Sequence, residues 1–155
     1  KPVLPAQEAD RVLDARNAFI TNSMLHEVTV SGTAASATQK LTRQDLAGKT
    51  GTSSEAFDGW FAGYSGTTTA VAWMGFDEPQ SLGGSEFGAT LALPIWIDFM
   101  RTATNGKPPY QMPQPTGVSQ SGGDWMYDQF RDAGAVRALD LDLDIWQHLS
   151  DVMRR

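Results

Sequence analysis

The chain has 155 residues, of which 41% are hydrophobic and 19% charged, and its formal net charge is −6. This composition suits one globular domain or one part of a larger domain, and the negative charge argues against a broad nucleic-acid surface. Without cysteine the chain forms neither a disulfide nor a thiolate zinc site. It opens without Met, has no signal-peptide pattern, and has no apolar run near the ~20 residues of a membrane helix. We therefore expect a processed or excised piece of a longer protein.

The first element that the sequence predicts is a helix. Asp14 can cap its start and Gly32 ends it. Apolar side chains recur between them at the four-residue spacing of one helix face. These are Ile20, Met24 and Val28, with Phe19 and Leu25 beside them. The small residues 33–38 predict a mobile loop.

Three predicted strands follow, at residues 46–52, 60–64 and 67–75. The first connection, 53–59, is polar, and Ser65-Gly66 marks a turn. Parallel strands need a long crossover, so these short connections predict an antiparallel meander.

Residues 87–102 return to helical spacing, with one apolar stripe at Leu91, Ile95 and Phe99. Pro94 is expected to kink or restart this helix. So broad an apolar surface predicts a helix packed against the sheet. A second apolar row consists of Leu93, Trp96 and Met100.

The last third of the chain has a different composition. Four prolines after Gly106 predict an extended, polyproline-like linker, and residues 119–123 are expected to be flexible. An apolar patch and a helical end follow. The patch consists of Trp125, Tyr127 and Phe130, and the helical end passes through Leu149 and Val152.

The most informative motif is the tetrapeptide K-T-G-T, which lies on the first predicted strand. Lys49 offers a compact cation, and the Thr50 and Thr52 hydroxyls point to one face of a strand. Gly51 between them lets another backbone come close. Such a strand suits a carboxylate, can pair with an extended peptide, and can offer an N–H to an oxyanion. Asp58 either tunes the lysine or braces the adjoining loop.

K-T-G alone is weak evidence, because strand lysines and threonines usually form a solvated face. It is the third signature of penicillin-recognising serine enzymes, whose other two are S-x-x-K and S-x-N. Neither occurs here: no Ser precedes a Lys by three positions, and none precedes an Asn by two. The sequence therefore predicts a substrate-binding strand without its nucleophile.

A calcium loop is the main alternative site, and one residue of the pattern argues against it. Asp140, Asp142 and Asp144 alternate, with Asp151 at the position of a last ligand. Ile145 stands where that loop needs glycine, so a half-exposed segment explains the pattern better.

No metal or cofactor is predicted elsewhere. His26 and His148 are isolated, so they support neither a metal site nor a histidine-based triad, and His26 is expected on a helix surface. Trp60 and Tyr64 share one face of their strand and are candidates for lining a substrate groove. The Trp and Met residues in general fall at sheet and helix spacing, which predicts a core position.

Four ordered blocks closely resemble the class A penicillin-binding proteins, the bifunctional cell-wall synthases. The blocks are 45–52 (DLAGKTGT), 58–64 (DGWFAGY), 73–77 (WMGFD) and 88–96 (GATLALPIW). The predicted helix 14–32, with the Ser-Gly-Thr at its end, is also similar. The likeness covers about residues 14–101. Residues 107–155 match only loosely, as a variable extension most like the 1A type of Gram-negative bacteria.

The resemblance implies an α+β fold like that of β-lactamases and D,D-peptidases, an antiparallel sheet flanked by helices, of which this chain supplies part. Residues 1–106 would be the C-terminal part of the transpeptidase domain, and 107–155 a Pro-rich linker and extension. In the family a serine attacks the D-Ala-D-Ala bond and the acyl group passes to an amine. By position, Lys49 would shape the field, Thr50, Gly51 and Thr52 would bind substrate, and the Thr52 N–H would stabilise the oxyanion.

The resemblance also implies partners and location. These are peptidoglycan stem peptides, β-lactams and the upstream part of the same protein, at the periplasmic face of the inner membrane, with an anchor only in an N-terminal region outside this chain. This chain alone should not be acylated. A D,D-carboxypeptidase, a β-lactamase or a non-catalytic penicillin-sensing domain remain alternatives.

Overall fold

A computed structural model describes residues 12–84 and 87–131. The chain divides into two compact units, the first ending at Pro113 and the second beginning at Gln114. Helices and antiparallel sheets together give the predicted α+β class. The candidate calcium loop at 140–151, His148 and the predicted C-terminal helix lie outside the described residues.

The first helix, α1 (Ala15–Val30), has the capped start that the sequence predicts. The Asp14 carboxylate accepts a hydrogen bond of 2.9 Å from the Arg16 N–H, one of the amides that a helix start leaves without a partner. The guanidinium of Arg16 also donates to this carboxylate. These hydrogen bonds hold the pKa of Asp14 below its ordinary value.

Polar side chains make part of the contact between α1 and β1, which corrects two predictions. The Thr29 hydroxyl, fully buried, and the His26 Nδ1 both lie 2.8 Å from the Leu46 carbonyl oxygen. His26 is therefore half-buried and donates to β1 rather than lying on a helix surface. Met24 is 59% exposed, whereas Val28 of the same predicted stripe packs against the core.

The predicted loop 33–38 is wrong: a second helix, α2 (Ala35–Leu41), occupies most of it. Ala34 and Ala37 are fully buried in the hydrophobic core. Alanine is the best helix former, and its small side chain lets a short helix pack closely. The small residues therefore reflect tight packing.

The sheet is the predicted meander. Strands β1 (Leu46–Thr52), β2 (Asp58–Ser65) and β3 (Thr68–Gly75) are antiparallel in the order β1-β2-β3. A 3-10 turn, Ser54–Ala56, lies in the first connection. Gly66, at a φ of 56°, allows the tight turn between β2 and β3.

The third helix, α3 (Ala92–Ala103), begins later than predicted, and Pro94 is its third residue. Amides of the first helical turn have no partner within the helix, so the missing N–H of Pro94 breaks no hydrogen bond there. The proline therefore sits at the helix start. Of the two predicted outcomes, a kink or a restart near Pro94, the structure shows the start and no longer helix for the proline to kink.

The core lies between α3 and one face of the sheet. The Trp96 ring packs edge-to-face on Phe61, with centroids 4.9 Å apart, and its N–H donates to the Ala70 carbonyl at 3.1 Å. The predicted packing of this helix against the sheet is confirmed. The stripe of Leu91, Ile95 and Phe99 is not its buried face, since Ile95 and Phe99 are 46% and 53% exposed. Of two apolar rows, the one with the large indole is buried. It consists of Leu93, Trp96, Ile97 and Met100.

An ion pair with a buried carboxylate closes the end of the sheet away from Thr52. The Asp45 side chain is 3% exposed and pairs with Arg43 at 2.8 Å. Its carboxylate also accepts from the Ser65 hydroxyl and the Tyr110 N–H. Arg43 donates to the Lys107 carbonyl, so the segment after α3 is fixed here.

Burial alone would raise the pKa of Asp45. The hydrogen bonds from Arg43, Tyr110 and Ser65, with the charge of Arg43, outweigh burial and hold that pKa below its ordinary value.

Residues 107–115 form neither helix nor strand, in keeping with their prolines. Strands β4 (Val118–Ser121) and β5 (Asp124–Tyr127) then form a hairpin, and α4 (Asp128–Arg131) follows. The prediction that 119–123 is flexible is therefore wrong. Gly122 and Gly123, at φ 63° and 101°, form the hairpin turn.

Candidate functional site

The K-T-G-T residues lie at the end of β1, one of the two outer strands of the three-stranded sheet. Lys49 and Thr52 are exposed, and Thr50 and Gly51 are partly buried. The Lys49 side chain starts on the opposite face from the threonines, since neighbouring strand residues alternate. Its Nζ reaches back around the edge, 2.9 Å from the Thr50 carbonyl oxygen and 3.4 Å from the Thr50 hydroxyl. The cation therefore lies beside the open edge, which is the side of β1 that faces away from β2.

The backbone of the motif also presents hydrogen-bonding groups at this edge. In an antiparallel pair, backbone groups alternate between the neighbouring strand and the other side. The Ser53 N–H donates to the Asp58 carbonyl at 3.1 Å, toward β2, whereas the Thr50 carbonyl accepts from Lys49. By this alternation the Thr52 N–H points away from β2, to the open edge.

The Thr50 hydroxyl has a partner that the sequence did not predict. It lies 3.0 Å from the hydroxyl of Thr33, in the turn between α1 and α2. Thr33 belongs to the Ser-Gly-Thr tripeptide at the end of the predicted helix 14–32, which was already part of the family resemblance. Nothing in the spacing predicted a contact across 17 residues.

The Thr52 hydroxyl accepts a hydrogen bond of 3.1 Å from the Gly88 N–H. Since its oxygen accepts there, its own hydrogen remains available for donation. Gly88 lies directly on the β1–β2 backbone: a Cβ added to it would be 2.5 Å from the Gly51 carbonyl oxygen and would also overlap that of Trp60. Gly88 therefore approaches the Gly51 backbone from the Thr52 face. A Cβ added at Gly51 itself would meet the Trp60 side chain, at 3.3 Å, so the prediction that the missing side chain of Gly51 lets another backbone come close stays a prediction.

Of the two roles open to Asp58, the structure favours bracing. Its Oδ1 accepts from the Trp73 indole N–H at 2.8 Å, and its backbone N–H donates to the Ser53 hydroxyl at 2.8 Å. The carboxylate therefore ties β2 to β3, and the backbone closes the loop after β1.

Two indoles lie on the Lys49 face rather than in the core. Trp60 and Trp73 are 44% and 42% exposed, with ring centroids 6.0 Å apart, so the core prediction is wrong for both. Tyr64 is half-buried and donates to the Asn22 side chain at 2.9 Å, and burial raises its pKa. Trp60 thus stays a candidate for lining a groove, whereas Tyr64 holds α1 to the sheet.

Across residues 12–84 and 87–131, no three His, Cys, Asp or Glu side chains gather into a metal site. In the same residues, no helix has the length and apolar character of a membrane span.

Similar proteins are known for this sequence and fold. Penicillin-binding protein 1A of Pseudomonas aeruginosa is 48% identical over 110 residues, which cover 71% of this chain and 13% of that protein. The Neisseria lactamica protein of the same name is 38% identical over 125 residues, which cover 81% of this chain and 16% of that protein. No family model matches the chain.

A solved structure of the same kind of protein is also similar to this chain. The crystal structure of penicillin-binding protein 1A from Haemophilus influenzae matches with a TM-score of 0.69 and 30% identity, over 77% of this chain and 21% of that one. The sheet and its helices therefore have the penicillin-binding transpeptidase fold. The chain belongs to the penicillin-binding proteins of the 1A type, and it spans only 13% and 16% of the two curated relatives described above.

Proposed function

We propose that β1 is the substrate strand of a serine D,D-transpeptidase that cross-links peptidoglycan. Its open edge would bind the C-terminal carboxylate of a stem peptide, or the carboxylate of a β-lactam. What carries the proposal is the convergence at that edge of one ammonium group, two threonine hydroxyls and an outward N–H.

Each group has a separate task. Lys49 supplies a positive field, and the Thr50 and Thr52 hydroxyls donate to the carboxylate, which only accepts. The Thr52 N–H stabilises the negative oxygen of the tetrahedral intermediate. Asp58 and Gly88 hold the strand end in place.

The nucleophile would come from outside these 155 residues, since no Ser here is followed by Lys at the third position. That serine would attack the carbonyl of the D-Ala-D-Ala bond, its proton passing to a nearby base, and terminal D-alanine would leave with a proton. An amine of a neighbouring stem peptide would then take the acyl group and restore the serine. A β-lactam would acylate the same serine. We place this activity at the periplasmic face of the inner membrane, with any anchor supplied by segments outside this chain.

The proposal makes Thr52 a donor that acylation requires. In the full-length protein, Thr52→Val keeps the shape but loses a charge-assisted hydrogen bond of about 1.5–3 kcal/mol. We expect acylation by a fluorescent penicillin to slow by about 10- to 150-fold. Thr52→Ser should restore most of the rate.

Thr69→Val is a suitable control, because Thr69 is an exposed threonine on β3. It should acylate at the parental rate. If Thr52→Val also acylates at that rate, the Thr52 side chain has no part in the mechanism.

A further inference from the structure

Thr33 has no assigned role, yet its hydroxyl lies 3.0 Å from that of Thr50. Backbone hydrogen bonds fix the turn that carries it: the Ala34 N–H donates to the Val28 carbonyl at 3.0 Å, and the Ala35 N–H to the Gly32 carbonyl at 3.1 Å. The Ala34 side chain is fully buried. The contact therefore comes from a fixed turn.

The number of protons at Thr50 limits what its hydroxyl can do. A threonine hydroxyl has one hydrogen to donate and two lone pairs to accept with. Lys49, 3.4 Å away, can only donate. Either Thr33 donates to Thr50, which leaves the Thr50 hydrogen for a ligand, or Thr50 donates to Thr33 and has none left.

A bound carboxylate decides between the two arrangements, because it accepts hydrogen bonds and offers no hydrogen. Thr50 contributes to its binding only when the Thr50 hydroxyl donates to it. That requires Thr33 to donate to Thr50, and Lys49 can occupy the second Thr50 lone pair.

We propose that Thr33 is a positioning residue: its hydroxyl donates to Thr50 and directs the Thr50 O–H at the substrate carboxylate. This inference rests on the proposed function of the K-T-G-T strand. Thr33 contributes to carboxylate recognition through Thr50, so its effect disappears when Thr50 has no hydroxyl.

The test compares acylation rates of full-length variants by a penicillin and by the methyl ester of its carboxylate. Thr33→Val should slow the reaction of the acid by about 2- to 12-fold, as expected for one neutral hydrogen bond. The ester rate should stay the same, and Thr33→Ser should react like the parent. In a Thr50→Val background, Thr33→Val should add no further loss. Thr21→Val, an exposed hydroxyl of α1, is the control.

A merely structural Thr33 gives a different pattern. Equal slowing of acid and ester, a full additive loss in the Thr50→Val background, or an unchanged acid rate would overturn the inference. If Thr50→Val and Thr52→Val slow acylation and Thr33→Val does not, this inference alone fails. If none of the three slows it, the proposed function of β1 fails as well.

Discussion

Replacement of Gly88 by alanine is expected to slow acylation of the full-length protein at least about 10-fold and to destabilise its penicillin-binding domain by about 1–3 kcal/mol. An added Cβ would overlap the carbonyl oxygens of Gly51 and Trp60. These residues belong to paired strands and cannot shift without disturbing the pairing. Gly88 must then lift off the sheet, and its N–H leaves the Thr52 hydroxyl. Acylation kinetics with a fluorescent penicillin and thermal unfolding measure the two effects.

Gly84→Ala is the matched control. No described atom lies within 4 Å of a Cβ at that position, and the residue is exposed. It should leave both the rate and the melting temperature unchanged. Parental acylation by Gly88→Ala would show that the contact between Gly88 and β1 is dispensable.

The second large effect is expected at the other end of the sheet. Asp45→Ala should lower the free energy of unfolding by up to about 3–5 kcal/mol, because it leaves the charge of Arg43, whose side chain is 12% exposed, without its partner. In a domain of 150–250 residues, this corresponds to a melting temperature lower by roughly 10 °C. Thermal unfolding of the penicillin-binding domain measures the shift.

The exposed ion pair on α3 is the control. Asp98, whose side chain is 75% exposed, pairs with Arg101, and its replacement by alanine should cost less than about 1 kcal/mol. A loss no larger for Asp45→Ala than for Asp98→Ala would contradict the structural importance of the buried pair.

The Asp45 pair also predicts the direction of a pH effect. Since folding lowers the pKa of Asp45, its carboxylate stabilises the fold fully above the unfolded pKa, near 4. That contribution is lost as the pH falls through the lower, folded pKa. Stability measured from pH 6 to pH 2 should therefore fall less steeply in Asp45→Ala than in the parent.

Local pattern was sufficient to predict β1. The bounds 46–52 agree with the structure, because β-branched and small residues between polar turns leave few other choices. Asp14 likewise marked the start of α1, since a helix cap depends on neighbouring residues only.

Features that depend on tertiary contacts were not predictable in this way. The periodicity of 87–102 offers two apolar rows, and only the contact between Trp96 and Phe61 decides which is buried. Gly122-Gly123 resembles a flexible tract until the flanking strands pair.

The residues of the candidate site likewise divide into those that local sequence suggests and those that depend on distant contacts. Lys49, Thr50 and Thr52 could be proposed from the sequence because the chemistry of a strand motif is local. Thr33 and the contact made by Gly88 were missed, since they reach β1 across 17 and 36 residues of sequence.

The central claim is that β1 binds substrate for a serine that lies outside these residues. Its most direct test is to label the full-length protein with a fluorescent penicillin and map the adduct by peptide mass spectrometry, with the 155-residue chain alone in parallel. We predict one adduct on a serine outside this chain, formed much more slowly in Lys49→Ala, and no adduct on the isolated chain. An adduct on any serine of this chain, or equally fast labelling of Lys49→Ala, would contradict the claim.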